Sequence, residues 1–424
     1  MKKLLLIFSV IIFIMLTSFY NASAEESNIS VAAEGAILMD ANTGEILYSK
    51  NIDTQYAPAS TTKLMTALLT LENCKLDDII TVGKNPPFAI GSSIGLIEGE
   101  VVTVKDVLYG LLLPSGNDCA LALAEQISGS EENFVKMMNK RALELGCKNT
   151  NFVNSCGLYD KDHRTTPMDL ALIMKELIKH SEFSTIALTP YYKMKATNKT
   201  TVERFLQGEN ALALKPNLDP KHRKYYYEGI EGGKTGYTVE SFASYVASAS
   251  RDGHRFIVVL LHDETNNRFF PDAVALLNYG FDNFNLTKLY SKGDFVTNYK
   301  TKALTIPLYA EDDFYYTENK NEALKPEFTL EDTSKQIISI KKGDYVSKGD
   351  LTLGTKTLGS LNLVSGNDYM KKTITLKSSD SFSHKIMTGL YIFVIIIISI
   401  LILILILRFI IKIFKRKKKK VYYY

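Results

Sequence analysis

Ser60 and Lys63 stand three residues apart in PASTTKLMTALL, where an apolar repeat of three and four begins just after Pro58. On the first turn of a helix that spacing puts a hydroxyl and an amine on one face. A serine there lies in the positive end of the helix dipole, which favours developing negative charge. A lysine beside it can take the hydroxyl proton if burial or a second cation lowers its pKa from the ordinary value of about 10.4. The pair then reads as an activated nucleophile of the Ser-Lys type. The same letters also suit a helix-capping serine next to a solvated lysine, and Ser339 with Lys342 repeats the spacing in a strand-like region.

Two more stretches carry chemistry-bearing residues. Lys234-Thr235-Gly236 follows Gly232-Gly233 and runs into YTVESFASYVASAS, which places it on or just before a strand. Small residues there let a ligand approach the backbone edge. A lysine and a hydroxyl can hold a carboxylate, and backbone N–H groups can serve an oxyanion. The tetrapeptide SGND occurs twice, at Ser115–Asp118 and Ser365–Asp368. Ser, Gly and Asn are turn residues as readily as catalytic ones, so the letters alone do not choose between the copies.

Order and spacing do choose. Ser60-x-x-Lys63, Ser115-Gly116-Asn117 and Lys234-Thr235-Gly236 follow one another 55 and 119 residues apart. The combination S-x-x-K, S-D-N and K-T-G belongs to penicillin-binding proteins and class A β-lactamases. The chain resembles the serine D-alanyl-D-alanine carboxypeptidases, the low-molecular-mass penicillin-binding proteins. NTNFVNSCGLYDKDHRTTPMDLALI, GGKTGYT and RFFPDAVALLNYGFDNF extend the likeness over most of the mature chain. The second SGND lies beyond KTG without a Ser-Lys pair in the proper order, and reads as a hairpin turn.

The resemblance implies a role for each matched residue. Ser60 would be the nucleophile, Lys63 its base, and Ser115 the relay to the leaving amine. Asn117 would hold the substrate peptide, and Lys234 and Thr235 its terminal carboxylate, with Gly236 beside them. Oxyanion donors would be the N–H groups of Ser60 and Tyr237. Arg268 aligns with a family arginine near the carboxylate subsite, and His163 with a histidine near the cleft. The implied partners are the D-Ala-D-Ala end of a peptidoglycan stem peptide and β-lactams, which would acylate the same serine. No cofactor is implied. A class A β-lactamase would need a glutamate-held water; Glu203 to Gln207 faintly resembles that loop but stands too near Lys234. A β-lactam sensor or a silent wall-binding protein are the non-enzyme alternatives.

The elements that must position these groups read as α+β. GAILMDANTGEILYSK is a hairpin about Asn42-Thr43-Gly44, and SFASYVASAS with RFIVVLLHD is another about Asp252-Gly253. Between them KLMTALLTLE, VKDVLYGLLL, NDCALALAEQI, NFVKMMNKRALEL and MDLALIMKELIKH have helical periodicity, as does PDAVALLNYGFDNF at the close. Strands at both ends of this region imply an antiparallel sheet built from sequence-distant segments, with a helical subdomain: the penicillin-binding/β-lactamase-like arrangement. This catalytic domain is expected over residues 25–284 and a small all-β domain over 285–384, where SKGD recurs at two expected turns, 291–294 and 347–350.

The ends are of another kind. Residues 1–24 have two lysines, an apolar run and Ala22-Ser23-Ala24, the layout of a cleaved signal peptide, with an uncleaved anchor as the alternative. Gly389 to Leu407 is a 19-residue uncharged stretch, long enough to span a bilayer. A transmembrane helix is expected over 388–411 and a basic cytoplasmic tail over 412–424, because basic residues mark the inner side. Where family members are described with an amphipathic anchor lying on the membrane, this segment is apolar throughout.

Charge follows the same division. The total is +4, but two basic residues lie in the leader and nine from Lys385 onward. The remainder sets 39 basic against 46 acidic side chains, a net of −7, which argues against nucleic-acid binding. Cys74, Cys119, Cys147 and Cys156 match no metal or small disulfide framework, and free thiols are as consistent as pairs. The six histidines lack metal-ligand spacing, so no metal is expected. LKPNLDPKHRKYYYEGIEGG, before KTG, suits a surface loop or a wall of the peptide approach.

Overall fold

The computed structural model describes residues 29–215, 225–265, 268–300, 304–331, 339–370 and 380–418. The expected leader and much of the Lys/Tyr-rich stretch before KTG lie outside them. The chain divides into two compact units, 1–332 with 345–364, and 333–344 with 365–424.

The first unit is built on strands β1 (Gly35–Asp40), β2 (Ile46–Lys50), β7 (Ile230–Thr238), β8 (Phe242–Arg251) and β9 (His254–Asp263), with short pairs β3 (Ile79–Thr81) with β4 (Val101–Thr103) and β5 (Tyr191–Met194) with β6 (Arg204–Gln207) between them. They form an antiparallel sheet in the order β2-β1-β9-β8-β7. The first strand therefore pairs with the last, Leu38 opposite Val258, as the sequence pattern requires. Both expected hairpins form. Asp252 and Gly253 both have positive φ, 51° and 82°, the backbone that a two-residue hairpin turn demands.

Continuous apolar runs in β1 and β9 follow from burial on both faces. Ile37, Met39, Ile257 and Val259 face a core shared with helices α1 (Lys63–Asn73), α2 (Val104–Leu112), α3 (Asn117–Ser128), α4 (Glu131–Glu144), α5 (Pro167–Leu177) and α6 (Ser181–Ala187). Their neighbours Ala36, Leu38, Phe256 and Val258 face the other way, against Ala273, Leu276 and Leu277 of α7 (Phe269–Asn283). The period-2 alternation of side chains thus feeds two cores from one sheet.

From α7 the chain passes directly into β10 (Phe284–Tyr290), then β11 (Phe295–Lys300), β12 (Thr305–Ala310), β13 (Phe314–Asn319) and β14 (Glu327–Leu330), with β16 (Tyr345–Leu353) and β17 (Lys356–Ser365) completing the all-β portion. Its sheet runs β11-β12-β17-β16-β14, and β10 pairs with β13. The buried Asp40 carboxylate accepts from His254 Nε2 at 2.8 Å and Thr317 Oγ1 at 2.7 Å, which ties β13 to the end of β1 in the catalytic sheet.

One expected turn is corrected. Ser291–Asp294 is a turn, with Gly293 at φ 87°. Ser347–Asp350 instead lies inside β16, because β14 and β17 pair with it on either side, and the ring of Phe328 packs where a Gly349 side chain would be. In the second unit the comparable turn is Lys341–Asp344: Lys341 N–H donates to Asp344 Oδ2 at 2.9 Å, as Ser291 N–H does to Asp294 Oδ2 at 2.7 Å in the first unit. That second unit also holds the pair β15 (Ser339–Ile340) with β18 (Tyr369–Met370) and helix α8 (Asp380–Lys418), whose segment Ile386–Lys412 is long and apolar enough to cross a membrane.

Candidate active site

Ser60 sits on a single 3₁₀ turn, Ala59–Thr62, that leads straight into α1. Ala59 is held at φ 48°, a left-handed conformation that a residue with a side chain rarely adopts. Lys63 opens the helix and is fully buried. Its Nζ donates to Ser60 Oγ at 2.9 Å, to Asn117 Oδ1 at 2.7 Å and to the Cys156 carbonyl at 2.8 Å. These three acceptors match the three N–H bonds of an ammonium. When the proton is lost, two N–H groups satisfy the two carbonyls and the lone pair is left for Ser60. Burial above all, and then the cation of Lys234, lower the Lys63 pKa to about 7. A base poised there is half neutral at neutral pH, as general-base catalysis needs.

The first SGND forms the link from α2 to α3. Ser115 is buried at φ 64°, and its Oγ has no hydrogen-bond partner among the described residues. A buried hydroxyl left open beside a nucleophile is free to bond an incoming ligand. Asn117 uses both ends of its amide: Oδ1 toward Lys63, and Nδ2 to the Ile90 carbonyl at 2.6 Å.

The third motif lies on β7, the edge strand of the sheet, so half of its backbone polar groups have no strand partner on that side among the described residues. A Cβ on Gly236 would fall 3.0 Å from Ser60 N and 3.1 Å from Pro58 O, so glycine is what lets the strand lie against the turn that carries Ser60. Lys234 is buried, and burial lowers its pKa to about 8 against the opposing effect of Glu209. Ser60, Ser115, Thr235, Gly236 and Tyr237 meet around a cleft of about 510 Å³.

The fold and motifs point the same way as the chain's relatives. Residues 21–265 match the D-alanyl-D-alanine carboxypeptidase family, and residues 284–371 match the C-terminal domain of penicillin-binding protein 5. The chain belongs to the D-alanyl-D-alanine carboxypeptidases. The carboxypeptidase DacF of Bacillus subtilis is 36% identical over 281 residues, covering 65% of this chain and 69% of that one. DacA of Haemophilus influenzae is 30% identical over 376 residues, 84% and 91% of the two chains. Among solved structures, penicillin binding protein 5 from Haemophilus influenzae superposes with a TM-score of 0.68 at 29% identity, covering 81% of this chain and 99% of its own. The Streptomyces K15 DD-transpeptidase gives 0.55 at 32% identity, 60% and 99%.

Within this carboxypeptidase, two residues named from the resemblance have partners outside the three motifs or behind the Ser60 turn. The Arg268 side chain is largely exposed and reaches Asp272 Oδ1 at 3.4 Å; its neighbour Phe269 is the one that lines the cleft. His163 is buried and bridges two loops: its Nδ1 accepts from Val153 N–H at 3.1 Å, which leaves Nε2–H to donate to Thr62 Oγ1 at 2.9 Å. Burial lowers its pKa to about 4, so the ring is neutral and braces the turn behind Ser60. Glu203 pairs with Lys193 at 2.6 Å on the exposed β5–β6 hairpin and does not line the cleft.

Two participants carried no sequence signal. Glu209 lines the cleft and raises the pKa values of Lys63 and Lys234. The Cys156 carbonyl is a backbone group, which no residue letter announces. All four cysteines are free thiols.

Proposed function

We propose that this carboxypeptidase removes the terminal D-Ala from peptidoglycan stem pentapeptides through an acyl-enzyme on Ser60. Ser60 Oγ attacks the carbonyl of the penultimate D-Ala and its proton passes to Lys63 Nζ. The N–H groups of Ser60 and Tyr237 hold the oxyanion, while Lys234 and Thr235 bind the terminal carboxylate with Gly236 leaving the approach open. Collapse breaks the C–N bond, Ser115 delivers the proton to the departing amine, and Asn117 holds the acyl peptide. Water then attacks the ester and restores Ser60. A β-lactam presents the same carbonyl and carboxylate, and acylates the same oxygen.

The observation that carries this reading is the buried Lys63 amine at 2.9 Å from Ser60 Oγ, with its pKa near neutrality. We assign residues 25–284 to catalysis and 285–384 to the β domain. The apolar helix spans the membrane once, with the catalytic domain outside and the basic tail inside, so the enzyme meets its substrate in the wall. Fluorescent penicillin labelling and D-Ala release from a diacyl-D-Ala-D-Ala peptide test it: both should vanish in Ser60→Ala, and their persistence would overturn the assignment. Rapid turnover of the penicillin instead of a lasting adduct would make the chain a β-lactamase.

A further inference from the structure

Beside the residues assigned above, a buried carboxylate stands next to Asn117 in the chain. Asp118 follows Asn117 in α3 and is fully buried. Its Oδ2 accepts from Ser93 Oγ at 2.7 Å, from Ile94 N–H at 3.0 Å and from Leu96 N–H at 3.1 Å. All three donors belong to an irregular segment whose Ser92 lines the cleft. Asn117 grips the same segment from the other direction. Its backbone N–H donates to Ser92 O at 2.6 Å and its Nδ2 to Ile90 O at 2.6 Å. Two consecutive residues thus clamp the segment 90–96, one by accepting and one by donating.

The consequence falls on the Asn117 amide. Rotating a primary amide by half a turn exchanges its oxygen for its NH₂, and the surroundings decide which end faces where. Here Ile90 O takes Nδ2, so Oδ1 is the end offered to Lys63 Nζ. Were Ile90 O to withdraw, only the lysine itself would select the oxygen, and a neutral Lys63, with a lone pair as well as N–H groups, would no longer do so. We infer that Asp118 is a positioning residue for the acylation step: by holding residues 93–96 it fixes Ile90 and Ser92, and through them the orientation of Asn117 toward Lys63. In the second SGND the same letter does something simpler. Asp368 Oδ1 accepts from Lys342 N–H at 2.8 Å beside a turn closed by the Ser365 hydroxyl on Asn367 O at 2.6 Å.

This inference rests on Ser60, Lys63 and Asn117 being the acylating groups. Its test uses the full chain in detergent, with Asp118→Asn and Ser93→Ala, and the rate of labelling by fluorescent penicillin as a function of pH. Asp118→Asn keeps the size but can turn an NH₂ toward the N–H groups of Ile94 and Leu96. The alkaline plateau should fall about tenfold or more, and the midpoint of the acid limb should move down by roughly half a pH unit or more, because Lys63 loses an acceptor for its charged form. Ser93→Ala removes a single donor and should move both in the same direction by less. A reduced plateau with an unmoved midpoint would make Asp118 a purely structural residue and overturn the inference. Thermal unfolding reports whether Asp118→Asn folds; if it does not, Ser93→Ala decides on the same criterion. Ser60→Ala separates the two levels: labelling that survives there defeats the acyl-enzyme reading itself, whatever the Asp118 variants do.

Discussion

Replacing Lys63 by Met removes the proton acceptor while filling much of the same space, and the structure sets the size of its effect on stability. The unfolded lysine keeps its proton up to the ordinary 10.5, whereas in the folded chain it gives it up at about 7. Across that interval the unfolded state binds more protons, so the site's contribution to stability rises with pH. Between about pH 7 and pH 9 the wild type should gain roughly 2 kcal/mol relative to Lys63→Met. The variant also strands the Asn117 and Cys156 carbonyl oxygens, a cost of about 1–3 kcal/mol each. That cost does not depend on pH and cancels when the two stability differences are subtracted. Urea unfolding of both proteins at the two pH values measures the quantity. The same pKa should set the acid limb of penicillin acylation in the wild type, with labelling absent in Lys63→Met. Stability curves that stay parallel from pH 7 to 9 would refute the argument, since the lysine would then not be discharged by burial.

Three further outcomes follow from the site. Gly236→Ala places a Cβ against backbone atoms of the turn Ala59–Thr62, which must shift to admit it, and should slow acylation about a hundredfold in a protein that still folds. His163→Asn should leave labelling at neutral pH within tenfold of wild type, because the ring does not enter the cleft. It should also flatten the loss of stability on acidification: the folded His163 pKa of about 4 lies below the ordinary 6.5, so stability falls with pH from about 6.5 downward, by on the order of 3 kcal/mol near pH 4. Asn117→Ala should abolish labelling while Asn367→Ala leaves it unchanged; the reverse pattern would mean the wrong SGND had been assigned.

What the sequence made legible was whatever side-chain pattern or motif order encodes. The two hairpins and the pairing of the first strand with the last follow from apolar alternation and turn letters. The three motifs were separable from their decoys, Ser339-Lys342 and the second SGND, by order. Chemistry carried by the backbone was not legible: the Cys156 carbonyl gives Lys63 its third acceptor through its position alone. Glu209 is a lone acid after Gly208, with nothing in its neighbourhood to set it apart. SKGD shows the limit from the other side. The same four letters make a turn at Ser291–Asp294 and a strand at Ser347–Asp350, and the difference is the strands β14 and β17 that pair with the second copy. A local signal cannot report a neighbour that arrives from elsewhere in the chain.

The open edge of β7 has a consequence beyond catalysis. An unpaired strand at the border of a sheet invites pairing with a strand of another molecule, the route by which sheet proteins aggregate. A protein confined to a surface would meet its own copies at high local concentration. Here the turn Ala59–Thr62 lies against that edge at Gly236, closely enough that even a methyl group would require one of them to shift. A foreign strand running the length of β7 would have to displace the turn that carries Ser60. The contact that brings Ser60 to the edge of β7 therefore also interrupts that edge as a template for self-association, and widening the gap would trade away that protection.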